Sequence, residues 1–355
     1  MKPYDRVMAV LQGRSGEADR IPCVNFTSTA TLQFMEATGA WWPEAHREPE
    51  KMAKLGSAAH RLCGLDNVTV PFDMVVEAEL LGAPPEFFEA EKAEGEVRQP
   101  SVKAFVVKEP SDLKIPSDVA SAGRLPVVVK AVKILKEEFG GKTPVNVFMV
   151  PPFTCLCNYL VDTLTFLKTM VKEPEKIRSF LDASLDLFIQ EARVYEEAGA
   201  DVITLHEMGA CCGVIAPSHF KDFVAPYLKK LVKSVKCPTV LNICGPTEKI
   251  LPMMVECGAN AVAIDETTPI KEARRIVDAA KPGYPIAGNI SPKKILRDGT
   301  PEVIAGAVKT VIEEGVSIVS PGCDFFLDTP IGNIKTFVET VVKFGSGGGG
   351  LTINP

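Results

Sequence analysis

From Pro144 onward, short apolar runs alternate without a break with longer stretches in which apolar residues recur every three or four positions. That alternation constrains the fold more than any other feature. Strands separated by helices lie parallel, because a parallel pairing needs a crossover of about a dozen residues or more, right-handed in nearly all proteins. The pattern predicts strands over Pro144–Met149, Asp201–His206, Thr239–Cys244, Ala261–Asp265, Ile286–Asn289 and Ser317–Pro321. It predicts helices over 158–172, 175–197, 217–236, 248–256, 270–280, 301–314 and 331–344.

Two earlier apolar runs, Ile21–Thr27 and Asn67–Pro71, bring the strand count to eight. Eight strands alternating with helices predict an α/β chain folded as a (β/α)8 TIM barrel, with its active site at the C-terminal ends of the strands. Helical periodicity over 4–12, 31–36 and 49–64 makes an N-terminal helical extension. Charge alternates with apolarity around Gly95 over residues 84–109, which reads as a β-hairpin excursion. Residues 125–139 form a helix that tolerates Pro126 in its first turn. Residues 1–345 are read as one barrel domain and 346–355 as a flexible Gly-rich tail. The alternative architecture is a doubly wound sheet, but no strand is followed by a Gly-x-Gly-x-x-Gly or Gly-x-x-x-x-Gly-Lys-Ser/Thr loop, so binding of a nucleotide phosphate has no support.

A net charge of -6 with no basic run argues against nucleic acid. No apolar stretch reaches the roughly 18 residues that span a bilayer, and the first residues lack the apolar segment of a signal peptide, so a cytoplasmic protein is expected. The ten cysteines then read as thiols rather than as a disulfide framework. Neither Cys155-x-Cys157 nor Cys211-Cys212 has the spacing of a zinc ribbon or a redox pair.

A barrel would gather at its mouth Asn25, Asp73 with Glu77, Pro152 to Thr154, His206 with Glu207, Asn242 with Cys244, Asp265, Asn289, and Cys323 with Asp324. Asn242 and Cys244 lie two residues apart near the end of one strand, which sends both side chains to the same side. Cys323 is delivered the same way by the last strand. A set of amides, carboxylates and thiols with almost no Arg or Lys suits a hydrogen-bonding heterocycle or a metal ion, whereas an anion would draw on cations. Taken singly, Asp265 and Asn289 fit turn or capping positions equally well, and His206 fits a hydrogen-bonded core histidine. Their joint placement at strand ends is what favours a site.

The segments Phe72-Asp73-Met74-Val75-Val76-Glu77-Ala78-Glu79, Pro152-Phe153-Thr154, Leu241-Asn242-Ile243-Cys244-Gly245, Gly288-Asn289-Ile290-Ser291-Pro292 and Ser320-Pro321-Gly322-Cys323 carry a family resemblance over nearly the whole chain. They resemble the uroporphyrinogen decarboxylase superfamily, and within it the corrinoid-dependent methyltransferases of the methylcobamide:coenzyme M type. The resemblance implies the barrel and a methyl transfer from a methyl-corrinoid supplied by a partner protein. Decarboxylases of the superfamily carry an arginine-rich segment after the first strand. Here that position reads Asn25-Phe26-Thr27-Ser28-Thr29, which argues against decarboxylation. The Asp-x-His-x-x-Gly motif of corrinoid-carrying domains is also missing, so the corrinoid is expected on a separate chain.

Members that methylate thiols have His-x-Cys where this chain has Asn242-Ile243-Cys244, and they hold a zinc ion with that pair and a second cysteine, here Cys323. An amide is a poor zinc ligand, and three protein ligands are usual at a catalytic zinc. Glu207 or His206 would have to stand in, so the expectation is a site without zinc. Without a Lewis acid, the acceptor expected is tetrahydrofolate, whose ring nitrogen is largely unprotonated at neutral pH. Asn242, Glu207 and Asp265 would then be catalytic. Asn25, Asp73, Glu77, His206, Cys244, Asn289 and Cys323 would line the substrate site. The alternatives are a zinc-dependent methyltransferase for a thiol such as coenzyme M, and a non-catalytic barrel that binds a corrinoid or a pterin.

Overall fold

The computed structural model describes residues 1–89 and 95–347. Its strands are β1 (Val68–Val70), β2 (Pro85–Glu86), β3 (Ser101–Val102), β4 (Val145–Met149), β5 (Val202–His206), β6 (Thr239–Ile243), β7 (Ala261–Ile264), β8 (Ile286–Ile290) and β9 (Ile318–Pro321). Seven of them form one parallel sheet in the order β1-β4-β5-β6-β7-β8-β9. The eighth position is filled by residues 22–25. Cys23 bridges Val319 in parallel, the Val24 amide donates to the Val319 carbonyl at 3.1 Å, and the Asp66 amide donates to the Cys23 carbonyl at 2.7 Å. The sheet thereby closes into the expected (β/α)8 barrel.

The predicted first strand, 21–27, makes this single bridge instead of a ladder, and the reason lies in its neighbours' side chains. Pro22 has no amide to donate. The Asn67 side chain takes the Asn25 amide at 3.1 Å and returns a bond to the Asn25 carbonyl at 2.7 Å, while the Thr69 hydroxyl donates to that carbonyl at 2.9 Å. Side chains thus make the bonds a strand would have taken from β1.

Residues inside a barrel repeat every second position. Val202, Val240, Ala261, Ala263, Ala287 and Ile318 point inward, and the small alanines leave space at the N-terminal end that Val7, Val10 and Leu11 of the helix Pro3–Leu11 fill. Arg6 of that helix bonds Asp66 at 2.8 Å and Asp19 at 2.6 Å, fastening the plug to the wall.

Several helices keep the predicted bounds, among them Leu125–Phe139, Ile270–Ala280 and Ile331–Phe344. Others are subdivided. The stretch 49–64 breaks at Ser57 into Pro49–Gly56 and Ala58–Cys63, and 217–236 opens into a π-turn over Phe220–Val224 before Ala225–Val232. The hairpin excursion is present as the antiparallel pair β2 and β3. Most of the predicted Gly-rich tail lies outside the described residues. Before it, the Gly345 carbonyl accepts from the Ile21 amide at 3.2 Å. Among the described residues no helix is long and apolar enough to cross a membrane.

Candidate active site

The ladder between β5 and β6 places His206 directly opposite Asn242. Both side chains point into the barrel at the last layer before its mouth. Cys244 follows one residue beyond β6, because Gly245, at φ 92°, turns the chain so tightly that a Cβ there would lie 2.7 Å from the Cys211 sulfur. Cys323 follows β9 across a similar constraint: a Cβ on Gly322 would meet Asp265 at 2.7 Å. The result is a cluster. His206 Nε2 lies 3.6 Å from Cys244 Sγ and 4.0 Å from Cys323 Sγ, and all three ligand atoms fall within 4.8 Å of one another.

These separations suit a tetrahedral zinc ion. Zn–N bonds of about 2.0 Å and Zn–S bonds of about 2.3 Å imply N···S separations of about 3.5 Å and an S···S separation of about 3.8 Å. Two thiols and an imidazole are also the soft and borderline donors that zinc takes, and three protein ligands leave a fourth position open. The expected absence of zinc is therefore corrected. In place of an imidazole at position 242, the cluster has that of His206, one of the two stand-ins considered, directly across the ladder on the neighbouring strand; its register with Asn242 is what no reading of one strand at a time could show. One feature departs from common practice at such centres. His206 Nδ1 is buried with no hydrogen-bond partner among the described residues, so the ring is oriented by packing, including an edge-on contact with Phe148 at 6.1 Å, rather than by a second hydrogen bond.

The cluster is electrostatically prepared to lose a proton. The Cys244 thiol beside it, opposing the effect of burial, brings Cys323 down to about 7, and His206 adds to the lowering. Cys244 is correspondingly pushed far up by Cys323 and by burial, so the pair parts with one proton near neutrality and keeps the other. Burial works against a charged His206, but Cys323, Asp324 and Glu207 outweigh it and raise its pKa. Next to it, Glu207 is buried and pushed up to about 7 by desolvation, although its carboxylate accepts from the Thr154 amide at 2.8 Å and from the Thr154 hydroxyl.

The remaining predicted site residues surround this cluster or lie farther round the mouth, and the fold already occupies most of their polar groups. Asn25 is buried and closes a turn, its Oδ1 accepting from the Thr27 amide and hydroxyl and its Nδ2 donating to the Ser28 carbonyl. Asp265 ties two loops of the mouth together by accepting from the Gly245 amide and from Thr267. Asn289 donates to the Thr268 carbonyl at 2.7 Å and to the Asp265 carbonyl at 3.3 Å. Asp73 is gripped by Arg124 through two bonds of 2.9 Å and by His46 at 2.8 Å. Sequence reasoning passed over Arg124, which stands in no motif and whose partner Asp73 lies 51 residues away; Thr154 was placed at the mouth, but its bond to Glu207, 53 residues on, was not foreseen.

Glu77 accepts from the Val150 amide at 2.8 Å through Oε1, while its Oε2 is buried without a partner. Burial pushes this carboxyl up to about 7 from its ordinary 4.5; burial likewise raises Glu191, and Glu77 adds to that. A raised carboxyl pKa favours the fold at low pH, and that contribution is lost as pH rises from 4.5 through about 7. Glu77→Gln keeps the bond to Val150 and removes the charge. It is expected to stabilise the protein above neutrality by on the order of 1–3 kcal/mol and to change nothing in acid. Thermal melts across pH check this, and a Gln variant that melts lower at alkaline pH would refute it.

A family model described as uroporphyrinogen decarboxylase (URO-D) matches residues 2–344. The methylcobamide:CoM methyltransferase MtbA of Methanosarcina acetivorans is 37% identical over 346 residues, covering 96% of this chain and 98% of the relative. MtbA of Methanosarcina mazei is 38% identical over the same length, with the same coverage. A solved structure described as a methyltransferase from Methanosarcina mazei superposes with a TM-score of 0.89 at 31% identity, covering 97% of this chain and 99% of that one. These names also correct the expected acceptor. They give CoM where tetrahydrofolate was expected, and that expectation rested on a missing third zinc ligand, whereas His206, Cys244 and Cys323 together form a cluster that could hold the ion.

Proposed function

The chain belongs to the uroporphyrinogen decarboxylase family, in its corrinoid-dependent methyltransferase branch, and we propose that it moves a methyl group from a methyl-corrinoid carried by a separate protein to the sulfur of a small thiol of the coenzyme M class. The observation that carries this reading is the His206, Cys244 and Cys323 cluster at the barrel mouth. These three residues would hold zinc, which when bound supplies the Lewis acidity that keeps an acceptor thiol ionised at neutral pH.

The chain's own residues do the rest. Cys323, already low in pKa, and Cys244 bring thiolate charge to the centre, and His206 brings a neutral nitrogen from across the ladder. Asp265 and Asn289 tie the turn after β6, which carries Cys244, to the segment after β7 and to β8, so that this ligand-bearing turn is held in place. In the transfer the carbon–cobalt bond breaks with both electrons left on Co(I), the sulfur–carbon bond forms, and the thiol proton is released to solvent. Much of the rate then comes from holding the thiol sulfur in line with the methyl group.

Purified protein mixed with methylcobalamin and 2-mercaptoethanesulfonate is expected to give the Co(I) absorbance together with the methyl thioether. No Co(I) and no thioether from protein reconstituted with zinc would overturn the reading.

A further inference from the structure

We propose that Asn242 keeps the candidate zinc site at three protein ligands: it occupies the ladder position from which a second imidazole would close the set and offers an amide there instead. This rests on the thiol-methyltransferase reading of the same site. The geometry comes from the register. Val240 and Asn242 on β6 point into the barrel as Thr204 and His206 do on β5, and the pairs Thr204 with Val240 and His206 with Asn242 are in direct register. Adjacent strands stand about 4.8 Å apart, so a side chain at either position can reach the same small centre. On its other side Asn242 is paired with Ala263, which is small and does not compete for the space.

Asn242 is buried, and its Oδ1 lies 3.6 Å from Cys244 Sγ, where it accepts from the thiol. Its backbone carbonyl accepts from the Glu207 amide at 2.9 Å, which holds the two strand ends together just above His206. A carboxamide has both a donor and an acceptor end, so once Cys244 is a thiolate the same residue can turn and donate to sulfur from outside the metal's shell. A histidine here would add a second imidazole beside His206. With Cys244 and Cys323 that makes four protein ligands, the closed set of a structural zinc site, and it removes the position an incoming thiol needs.

The site therefore carries its imidazole on one strand, and the facing residue must not be a second one. Three variants test this with zinc content and zinc release to a chelator as the primary readout. Asn242→Ala should keep its zinc, since the amide is not a ligand. Asn242→His should hold zinc more tightly, releasing it at least about tenfold more slowly, and its cobalt(II)-substituted form should show the intense bands of a closed four-coordinate N2S2 centre that no longer shift when a thiol is added. Methyl transfer to thiol should fall in step with the lost thiol response. The double variant His206→Asn with Asn242→His should regain the zinc that His206→Asn alone loses, because the imidazole has only been moved across the ladder.

Unchanged zinc release and an unchanged thiol response in Asn242→His would overturn the proposal, as would loss of zinc in Asn242→Ala. If Asn242→His fails to fold, the double variant decides, since it restores a single imidazole and failure to regain zinc counts against the shared position. The wider reading fails differently: zinc-loaded wild type would then methylate no thiol, while the ligand exchange between 206 and 242 would still read as described.

Discussion

Changing Cys244, Cys323 or His206 singly to Ala is expected to strip zinc from the purified protein and to lower methyl transfer to a thiol by more than about a hundredfold, since changes merely outside a metal's shell already cost 10–100-fold. The three positions should behave alike because each change leaves two protein donors. Two donors leave half of a tetrahedron to water, and the separations of 3.6 and 4.0 Å show that no member of the set is peripheral. The thiols also depend on one another. With Cys244 gone, Cys323 loses the hydrogen bond that contributes most to its low pKa, so a residual thiolate is harder to form near neutrality. Metal analysis, the Co(I) yield with 2-mercaptoethanesulfonate, and a thermal melt on each variant make the check. Full zinc in any one of the three correctly folded variants would remove that residue from the centre.

The meeting of Cys244 with Cys323 was legible in the sequence, because each follows an apolar strand and a barrel brings strand ends to one face. The imidazole was named only as one of two stand-ins, His206 or Glu207, and its place opposite Asn242 was not legible. That His206 faces Asn242 is a property of the register between two strands whose first paired residues, Ile203 and Thr239, are far apart in the chain, and a single sequence contains no statement of register. Reading only the Asn242-x-Cys244 motif gave a site short of one ligand, and tetrahydrofolate followed from that deficit. The closure of the barrel was legible, since the apolar run 21–27 supplied the eighth strand, but its manner was not. Residues 22–25 make one bridge to Val319 and are otherwise held by the side chains of Asn67 and Thr69, polar groups that a hydropathy pattern does not register as sheet partners. Helices such as Leu125–Phe139, in contrast, carry their whole signal locally, and their bounds follow from it.

Arg124→Ala is expected to destabilise the protein by about 3–5 kcal/mol at neutral pH, the usual cost of removing one partner from a buried ion pair. The guanidinium is buried, bonds both oxygens of Asp73 at 2.9 Å and Glu79 at 2.7 Å, and stacks 4.8 Å over the Phe87 ring. Burial alone pushes the Asp73 carboxyl up, but Arg124 and His46 overcome it and hold its pKa far below the usual carboxylate range. A depressed carboxylate contributes stability that is present above its unfolded value, near pH 4, and lost as pH falls toward its folded value. The difference between wild type and Arg124→Ala should therefore be largest at neutral pH and shrink steadily in acid, where a protonated Asp73 no longer needs its partner. Adding Asp73→Asn to the variant should recover part of the loss at pH 7, because it removes the charge left uncompensated. Denaturant melts from neutral pH into acid test both statements. A gap that stays constant with pH, or a double variant no more stable than Arg124→Ala, would mean that Arg124 acts through its packing on Phe87 rather than through Asp73. The consequence reaches the mouth. Asp73 also accepts from the Val75 amide, setting the turn that leads into the helix Val76–Leu80, and Glu77 of that helix holds the Val150 amide at the end of β4. A loosened Asp73 should therefore lower the rate of methyl transfer without lowering zinc content, which separates a wall that positions the acceptor from the residues that hold the metal.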